Sequence, residues 1–218
     1  MQRLSASQRR FLQTATTEYA KSLDGSPAAE YLASRGLLAP SLPDRDFLLG
    51  YVANPLPGHE RFRGFLAIPY LRWSPGWQLS VVSLRFRCIE PGCEHQGHGK
   101  YMTLAGDRPR LYNTADLLAP ADTVCVTEGE LDAIMAHLCG LHVIGVPGAE
   151  AWQKHYREPL LGYEAVYILG DGDEAGMRFA TTIAGQLPNA KITPMPAGVD
   201  VNSLVLSEGK QALLDRIK

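Results

Sequence analysis

From residue 123 onward, short apolar runs alternate with helical patterns, and acidic residues stand at the ends of two runs. "TVCVT" (123–127) leads into Glu128 and then "ELDAIMAHLC", a helical pattern ended by Gly140. "HVIGV" and "AVYIL" are two further runs, a helical pattern follows from about Glu174 to Leu187, and "AKITPM" offers a fourth strand. Short apolar runs of this kind are buried strands, and strands alternating with helices make a parallel sheet. Ligands of open α/β sheets bind at the carboxyl ends of the strands. Glu128 directly follows one strand, and Asp171 and Asp173 directly follow another, so three acids converge on one edge. Gly129, Gly170, Gly172 and Gly176 let backbone and ligand approach there without a Cβ in the way.

The crowding in "ILGDGDEAGMRFA" (168–180) has two readings. Like charges this close repel unless a cation neutralises them, which points to a metal site. Asp and Gly also make turns and helix caps, which needs no metal. Under the first reading the ion is a hard divalent cation such as Mg²⁺, which takes carboxylates, waters and substrate phosphates. An EF-hand does not fit, because Ala175 and Thr182 occupy ligand positions, and no GxxxxGK[ST] phosphate loop occurs.

The first half has a different character. "SASQRRFLQTATTEYAKSL" spaces Phe11, Ala15, Tyr19 and Leu23 four apart, the stripe of an amphipathic helix. "SPAAEYLASRGL" offers Ser26 as N-cap, Pro27 at the first helical position and Gly36 at the stop. "FLAIPYL" and "WQLSVVSLRFRC" read as strands interrupted at Ser74, Pro75 and Gly76. Residues 61–110 hold eight Arg or Lys against three acids, whereas residues 120–218 hold thirteen acids against seven bases. That asymmetry suits a polyanion track beside a metal site, and equally an uneven solvated surface. A chain of 218 residues makes one large domain or two small ones. The composition shift near 113–122 suggests two, residues 1–118 and 119–218. Four cysteines are too few and too uneven for a disulfide scaffold, which implies a reducing cytoplasm. No signal pattern or membrane-length apolar run is present.

"VTEGELDAI", followed by "GDGDEAG" about forty residues later, resembles a Toprim domain, the metal-binding fold shared by DnaG-type primases, topoisomerases and some nucleases. "AAEYLASRGL", "FLLGYV", "ERFRGFLAIPY" and "HGKYMTLAG" are similar, in the same order, to the N-terminal half of the DnaG primase polymerase core. The resemblance spans roughly residues 25–210 and is stronger to compact bacteriophage primases than to full-length cellular ones. It implies a basic N-terminal α+β subdomain followed by a Toprim, Rossmann-like parallel sheet flanked by helices. It also implies RNA primer synthesis on single-stranded DNA from ribonucleoside triphosphates with Mg²⁺ or Mn²⁺. Glu128, Asp171 and Asp173 take the catalytic and metal-binding positions, Glu128 as the central acid and Asp200 as a further metal ligand. Asp132 reads as a supporting acid on the same side of its helix, and Glu130 and Glu174 as acids that complement a helix dipole.

Two departures from the family stand out. Its cellular members carry a zinc ribbon before this core and a helicase-binding domain after it, and neither fits in this sequence. Template selection and helicase coupling would then fall to other chains, a replicative helicase or a separate zinc-binding subunit. The family's Asp-Pro-Asp cluster appears here as "GVDVNSL", keeping Asp200 and placing Asn202 at the second acid. The carbonyl of Asn202 can still coordinate, at lower negative charge.

Lys100 in "HGKY" matches a basic position of the primase family, Arg85 or Arg87 matches a strand-closing arginine, and Arg63 in "RFRG" is a third candidate for holding nucleic acid or nucleotide. Trp73, Trp77 and Tyr101 offer stacking surfaces for a single strand, or ordinary packing. Cys88, Cys93, His95 and His98 form C-x4-C-x-H-x2-H, a set that could close around zinc. The alternative is a buried Cys88 at a strand end with solvated histidines on a loop. A Toprim nuclease is a second functional class, because the same acids could serve water instead of a 3′-hydroxyl. A non-catalytic nucleic-acid-binding replisome subunit is a third.

Overall fold

The computed structural model describes residues 4–37, 47–74 and 78–217. Pro75 and Gly76, read as the interruption between two strands, and Trp77 lie outside them. The chain divides into two compact units: Met1–Ser34 with Leu38–Arg108, and Arg35–Leu37 with Pro109–Lys218.

The first unit opens with helix α1 (Ala6–Lys21) and helix α2 (Pro27–Ser34). A reciprocal cap starts α1: the Gln8 amide donates to Ser5 Oγ at 3.1 Å, and the Ser5 amide donates to Gln8 Oε1 at 2.8 Å. Ser26 Oγ accepts from the Ala29 amide at 3.2 Å, and Pro27 sits at the first position of α2. Four antiparallel strands follow in the order β1-β2-β3-β4: β1 (Gly50–Tyr51), β2 (Leu66–Ser74), β3 (Gln78–Arg87) and β4 (Tyr101–Thr103). Alternation along β3 sends Leu84 and Phe86 into a core with Leu12, Ala15 and Tyr19 of α1, while Arg85 and Arg87 take the other face. The buried stripe of α1 is Leu12, Ala15, Thr16 and Tyr19, with Phe11 at its half-buried margin. The four-residue spacing therefore found the helix and its inward Ala15 and Tyr19, missed Leu12 and Thr16, and included Leu23, which lies beyond the helix end.

The second unit is a parallel sheet in the order β6-β5-β7-β8: β5 (Thr123–Thr127), β6 (Val143–Gly145), β7 (Ala165–Gly170) and β8 (Ala190–Pro194). Helices α3 (Glu130–Leu138), α4 (Glu174–Ala184), α5 (Val201–Glu208) and α6 (Lys210–Leu214) complete it. Helix α4 ends before Leu187, because Gly185 caps it. Val124, Val126, Val166 and Ile168 form the core with Phe179, Ala180 and Ile183 of α4. The unit begins ahead of β5. Tyr112 bridges to Gly145, and the buried carboxylate of Asp116 accepts from the Val143 amide at 2.9 Å and pairs with His137 Nδ1 at 2.9 Å. Among the described residues, no helix is long and apolar enough to cross a membrane.

Candidate functional site

Strands β5 and β7 lie side by side and run parallel, with Thr127 in register with Leu169. Their carboxyl ends therefore present Glu128 and the Asp171–Asp173 turn on one edge. Close backbone packing explains the glycines of that turn. A Cβ on Gly172 would meet the Pro196 carbonyl oxygen at 1.7 Å, and one on Gly176 would meet the Asp171 carbonyl oxygen at 2.4 Å. The Gly172 amide donates to the Val199 carbonyl at 2.8 Å, which ties the turn to the segment leading into α5.

Each acid has its own local job. Asp173 caps α4, its Oδ1 accepting from the Gly176 amide at 2.7 Å. Asp200 caps α5, its Oδ1 accepting from the Ser203 amide at 2.6 Å while its Oδ2 pairs with Arg35 Nη2 at 3.0 Å. Those bonds and the Arg35 charge outweigh burial and hold its carboxyl below the usual range. Asp132 accepts at Oδ1 from the Asn202 amide at 3.0 Å, which joins α3 to α5. Asn202 is fully buried; its Nδ2 donates to the Arg35 carbonyl at 2.8 Å, and its Oδ1 has no hydrogen-bond partner.

Asp171 is the outlier. Burial, and then the negative charges of Asp132, Glu128, Asp200 and Asp173, push its carboxyl up to about 7. Asp173 thus serves as a helix cap, whereas Asp171 carries the crowding of like charges. A carboxyl held near half-protonation among four other acids is the environment that a hard divalent cation relieves. Glu128 and the Asp171–Asp173 turn share that edge; both oxygens of Asp200 are already engaged, and Asn202 Oδ1 is a buried acceptor with no hydrogen-bond partner. Glu130, read as an acid that complements a helix dipole, does lie in the first turn of α3, and it is fully buried there. Its charge, after burial itself, pushes the Tyr112 hydroxyl well up. Arg35 was missed altogether, because its partner lies 165 residues away in sequence.

In the first unit, β3 and β4 bring Arg85, Arg87 and Tyr101 together, with Arg87 opposite Tyr101 in the ladder. The Arg85 guanidinium lies 4.5 Å and that of Arg87 4.8 Å from the Tyr101 ring centroid. Arg87 also lies 5.2 Å from the Tyr31 ring and donates from Nη1 to the Tyr101 hydroxyl. Lys100 is exposed immediately before β4. Arg63 sits apart from this face, on the turn before β2, donating from Nη1 to the Ala53 carbonyl at 2.8 Å. Trp73 is 36% exposed and so presents an aromatic surface. The ligand atoms of Cys88, Cys93, His95 and His98 all lie within 4.8 Å of one another.

Residues 125–205 match the Toprim-like family. The chain is 56% identical over 156 residues to the Gene 57 protein of Mycobacterium phage D29, an alignment that covers 72% of this chain and 99% of that protein. The chain belongs to that Toprim-bearing phage family. Its fold is that of the DnaG catalytic core. A DNA primase domain from Pseudomonas aeruginosa matches with a TM-score of 0.76 at 21% identity, covering 96% of this chain and 77% of that one. The RNA polymerase domain of Mycobacterium tuberculosis primase DnaG matches with a TM-score of 0.75 at 21% identity, covering 98% and 83%. The Toprim-like match contains Glu128, Asp171, Asp173 and Asp200, and it starts within β5.

Proposed function

We propose that this phage-family protein is a primase that makes short RNA primers on single-stranded DNA. The observation that carries the reading is the acidic carboxyl edge of the parallel sheet, where Glu128 and the Asp171–Asp173 turn follow two adjacent strands. It occurs in a chain that follows the DnaG catalytic-core fold over nearly its whole length. Relatives of that fold support the choice of substrate. One DnaG catalytic domain is described bound to single-stranded DNA, and the M. tuberculosis domain is described with a double-stranded oligomer bearing a 6-nucleotide overhang.

Under this reading the second unit carries the chemistry. Glu128, Asp171 and Asp173 would hold a Mg²⁺ or Mn²⁺ ion, which when bound would offset charge on the triphosphate and acidify the attacking 3′-hydroxyl. With an ion bound, Asp171 would be held as the carboxylate. Arg35 and Asp132 position the site rather than react: Arg35 neutralises Asp200, and Asp132 holds the start of α5 through the Asn202 amide. The first unit binds the template and the incoming ribonucleotide. Arg85 and Arg87 are pre-ordered against Tyr101, so less side-chain freedom is lost when phosphates arrive. Lys100 and Arg63 add charge, and Trp73 adds a stacking surface. A replicative helicase or a separate zinc-binding subunit is the further partner this function calls for, and the host cytoplasm its compartment.

The test is incubation with a single-stranded DNA template, labelled ribonucleotides and Mn²⁺. Short template-dependent RNA products are expected. Degradation of the template in place of RNA would make the protein a nuclease. DNA binding with neither product would make it a binding subunit.

A further inference from the structure

We infer that Cys88, Cys93, His95 and His98 hold a structural zinc ion that staples the loop between β3 and β4 and thereby fixes β4 and its arginine–tyrosine face. This ion is separate from the divalent cation of the acidic edge. Only the consequence for template binding rests on the primase reading.

The geometry of the loop carries the inference. A tetrahedral site with Zn–S of about 2.3 Å and Zn–N of about 2.0 Å has ligand-to-ligand edges of about 3.3–3.8 Å. Cys93 Sγ and His98 Nε2 already stand at such an edge, 3.6 Å apart, and all four ligand atoms lie within 4.8 Å of one another. Movements of about 1 Å therefore close the set. The tautomer of His98 is fixed in the required sense. Its Nδ1 lies 3.1 Å from the Gly99 carbonyl oxygen, which can only accept. In the neutral ring Nδ1 therefore carries the proton, and Nε2, facing the Cys93 sulfur, keeps its lone pair. A carbonyl behind a ligating imidazole is the usual outer support of a metal-bound histidine. The His95 amide donates to Cys93 Sγ at 3.4 Å, which fixes the sulfur within the loop. His95 Nδ1 is buried and has no hydrogen-bond partner, a cost that a metal bond would remove.

Two tight turns build the cluster. The Cys93 amide donates to the Glu90 carbonyl at 3.3 Å around Pro91 and Gly92, with Gly92 at φ 70°, the pattern of a type II turn. The His98 amide donates to the His95 carbonyl at 3.3 Å around Gln96 and Gly97, with Gly97 at φ 81°. Each turn thus delivers one ligand at its end. Cys88 is buried at the edge of the first unit's core, so the ion would tie the loop to the rigid body of that unit. Both cysteines are free thiols, as a metal site requires.

The consequence for β4 follows from its size. It pairs with β3 over three residues, and the neck of the loop adds one bond, from the Cys88 amide to the Lys100 carbonyl at 2.9 Å. So short a strand at the end of a long connection has little holding its register except what closes that connection. Tyr101, the ring against which both arginines rest, is its first residue. The four ligands need never touch nucleic acid to govern how it binds.

The experiment starts with the full chain purified without added metal. Elemental analysis should find about one zinc per chain, and the Co²⁺-exchanged protein should show the visible bands of tetrahedral cobalt with a thiolate charge-transfer band. Cys93→Ser and His98→Ala should each lose the metal and, with it, several-fold in affinity for single-stranded DNA. Zinc-free protein, octahedral cobalt, or a Cys88–Cys93 disulfide detected by mass would each overturn the site, whether or not the variants fold. Zinc present with unchanged DNA affinity after its removal would overturn the link to the β4 face. Zinc present and DNA bound, but no RNA made, would overturn the primase reading and leave the zinc site standing.

Discussion

Under the proposed reading, the two units gather their metal-binding side chains in opposite ways. In the second, carboxylates from β5, β7 and the segments that follow them meet across more than seventy residues of sequence, on a sheet edge rigid enough to hold like charges together. That set is hard and anionic, and burial and its own like charges push the Asp171 carboxyl up. In the first unit, the cluster from Cys88 to His98 is local, soft, and assembled by turns inside one loop. A site that must admit substrate phosphates keeps its ligands few and its charge unbalanced, whereas a site that only staples a loop closes on itself. The contrast predicts opposite responses to losing a ligand: chemistry fails at the acidic edge while the fold survives, and local structure fails at the loop.

The largest expected effect separates the two. Asp171→Ala should lower primer synthesis by on the order of 10²–10³-fold while single-strand binding is kept or slightly improved, measured by product gels and fluorescence anisotropy. Full synthesis by this variant would break the assignment. Removal of metal from the loop should come next. A strong zinc chelator should weaken the fold by about 3 kcal/mol, a fall in Tm of about 6–12 °C for a chain of this size, reversed by Zn²⁺ and not by Mg²⁺.

A smaller effect is expected on the cationic face. Alanine at Arg63, Arg85, Arg87 or Lys100 should weaken single-strand binding whatever the sequence, each lost phosphate contact lowering the log–log salt slope by about 0.7. Lys100→Ala sharpens this group. Unchanged DNA affinity with a raised KM for ribonucleotide would place Lys100 on the triphosphate instead.

The smallest effect is in the pH dependence of metal-free stability. Asp171 is raised above the ordinary carboxylate range to about 7, so between those limits the folded chain binds more protons than the unfolded one. Stability should therefore fall as pH rises from about 4 to about 7 and stay low above that. Asp171→Asn should flatten that slope and gain about 1 kcal/mol at pH 8, a figure already reduced for the partial exposure of the group, as thermal melts would show.

The parallel sheet was legible because its strands are apolar runs bounded by turn residues, and period alone separates them from the helices. The acidic edge was legible because position at the end of a strand fixes which way Glu128 and Asp171 can face. What stayed hidden depends on distant partners. Nothing beside Asp200 in sequence announces Arg35, and nothing near Glu130 announces that α3 turns it fully inward under Tyr112. Asn202 looked like a weakened ligand. Its backbone amide turns out to anchor Asp132, and its side chain to hold the Arg35 carbonyl. Among the basic residues, Arg85 and Arg87 could be paired by strand alternation, but their shared ring, Tyr101, depends on the register of a strand that follows a long loop.

The central claim is that the carboxyl edge of the second unit is a divalent-cation site, and Mn²⁺ binding tests it most directly. Free Mn²⁺ would be read by electron paramagnetic resonance during titration of the native protein and of Asp171→Asn, at neutral pH and with the zinc loop filled. The account predicts saturable binding by the native protein in the concentration range that supports synthesis, weakened by about 10–100-fold in the variant. Equal binding by the two proteins, or none by the native protein at Mn²⁺ concentrations where RNA is made, would contradict it.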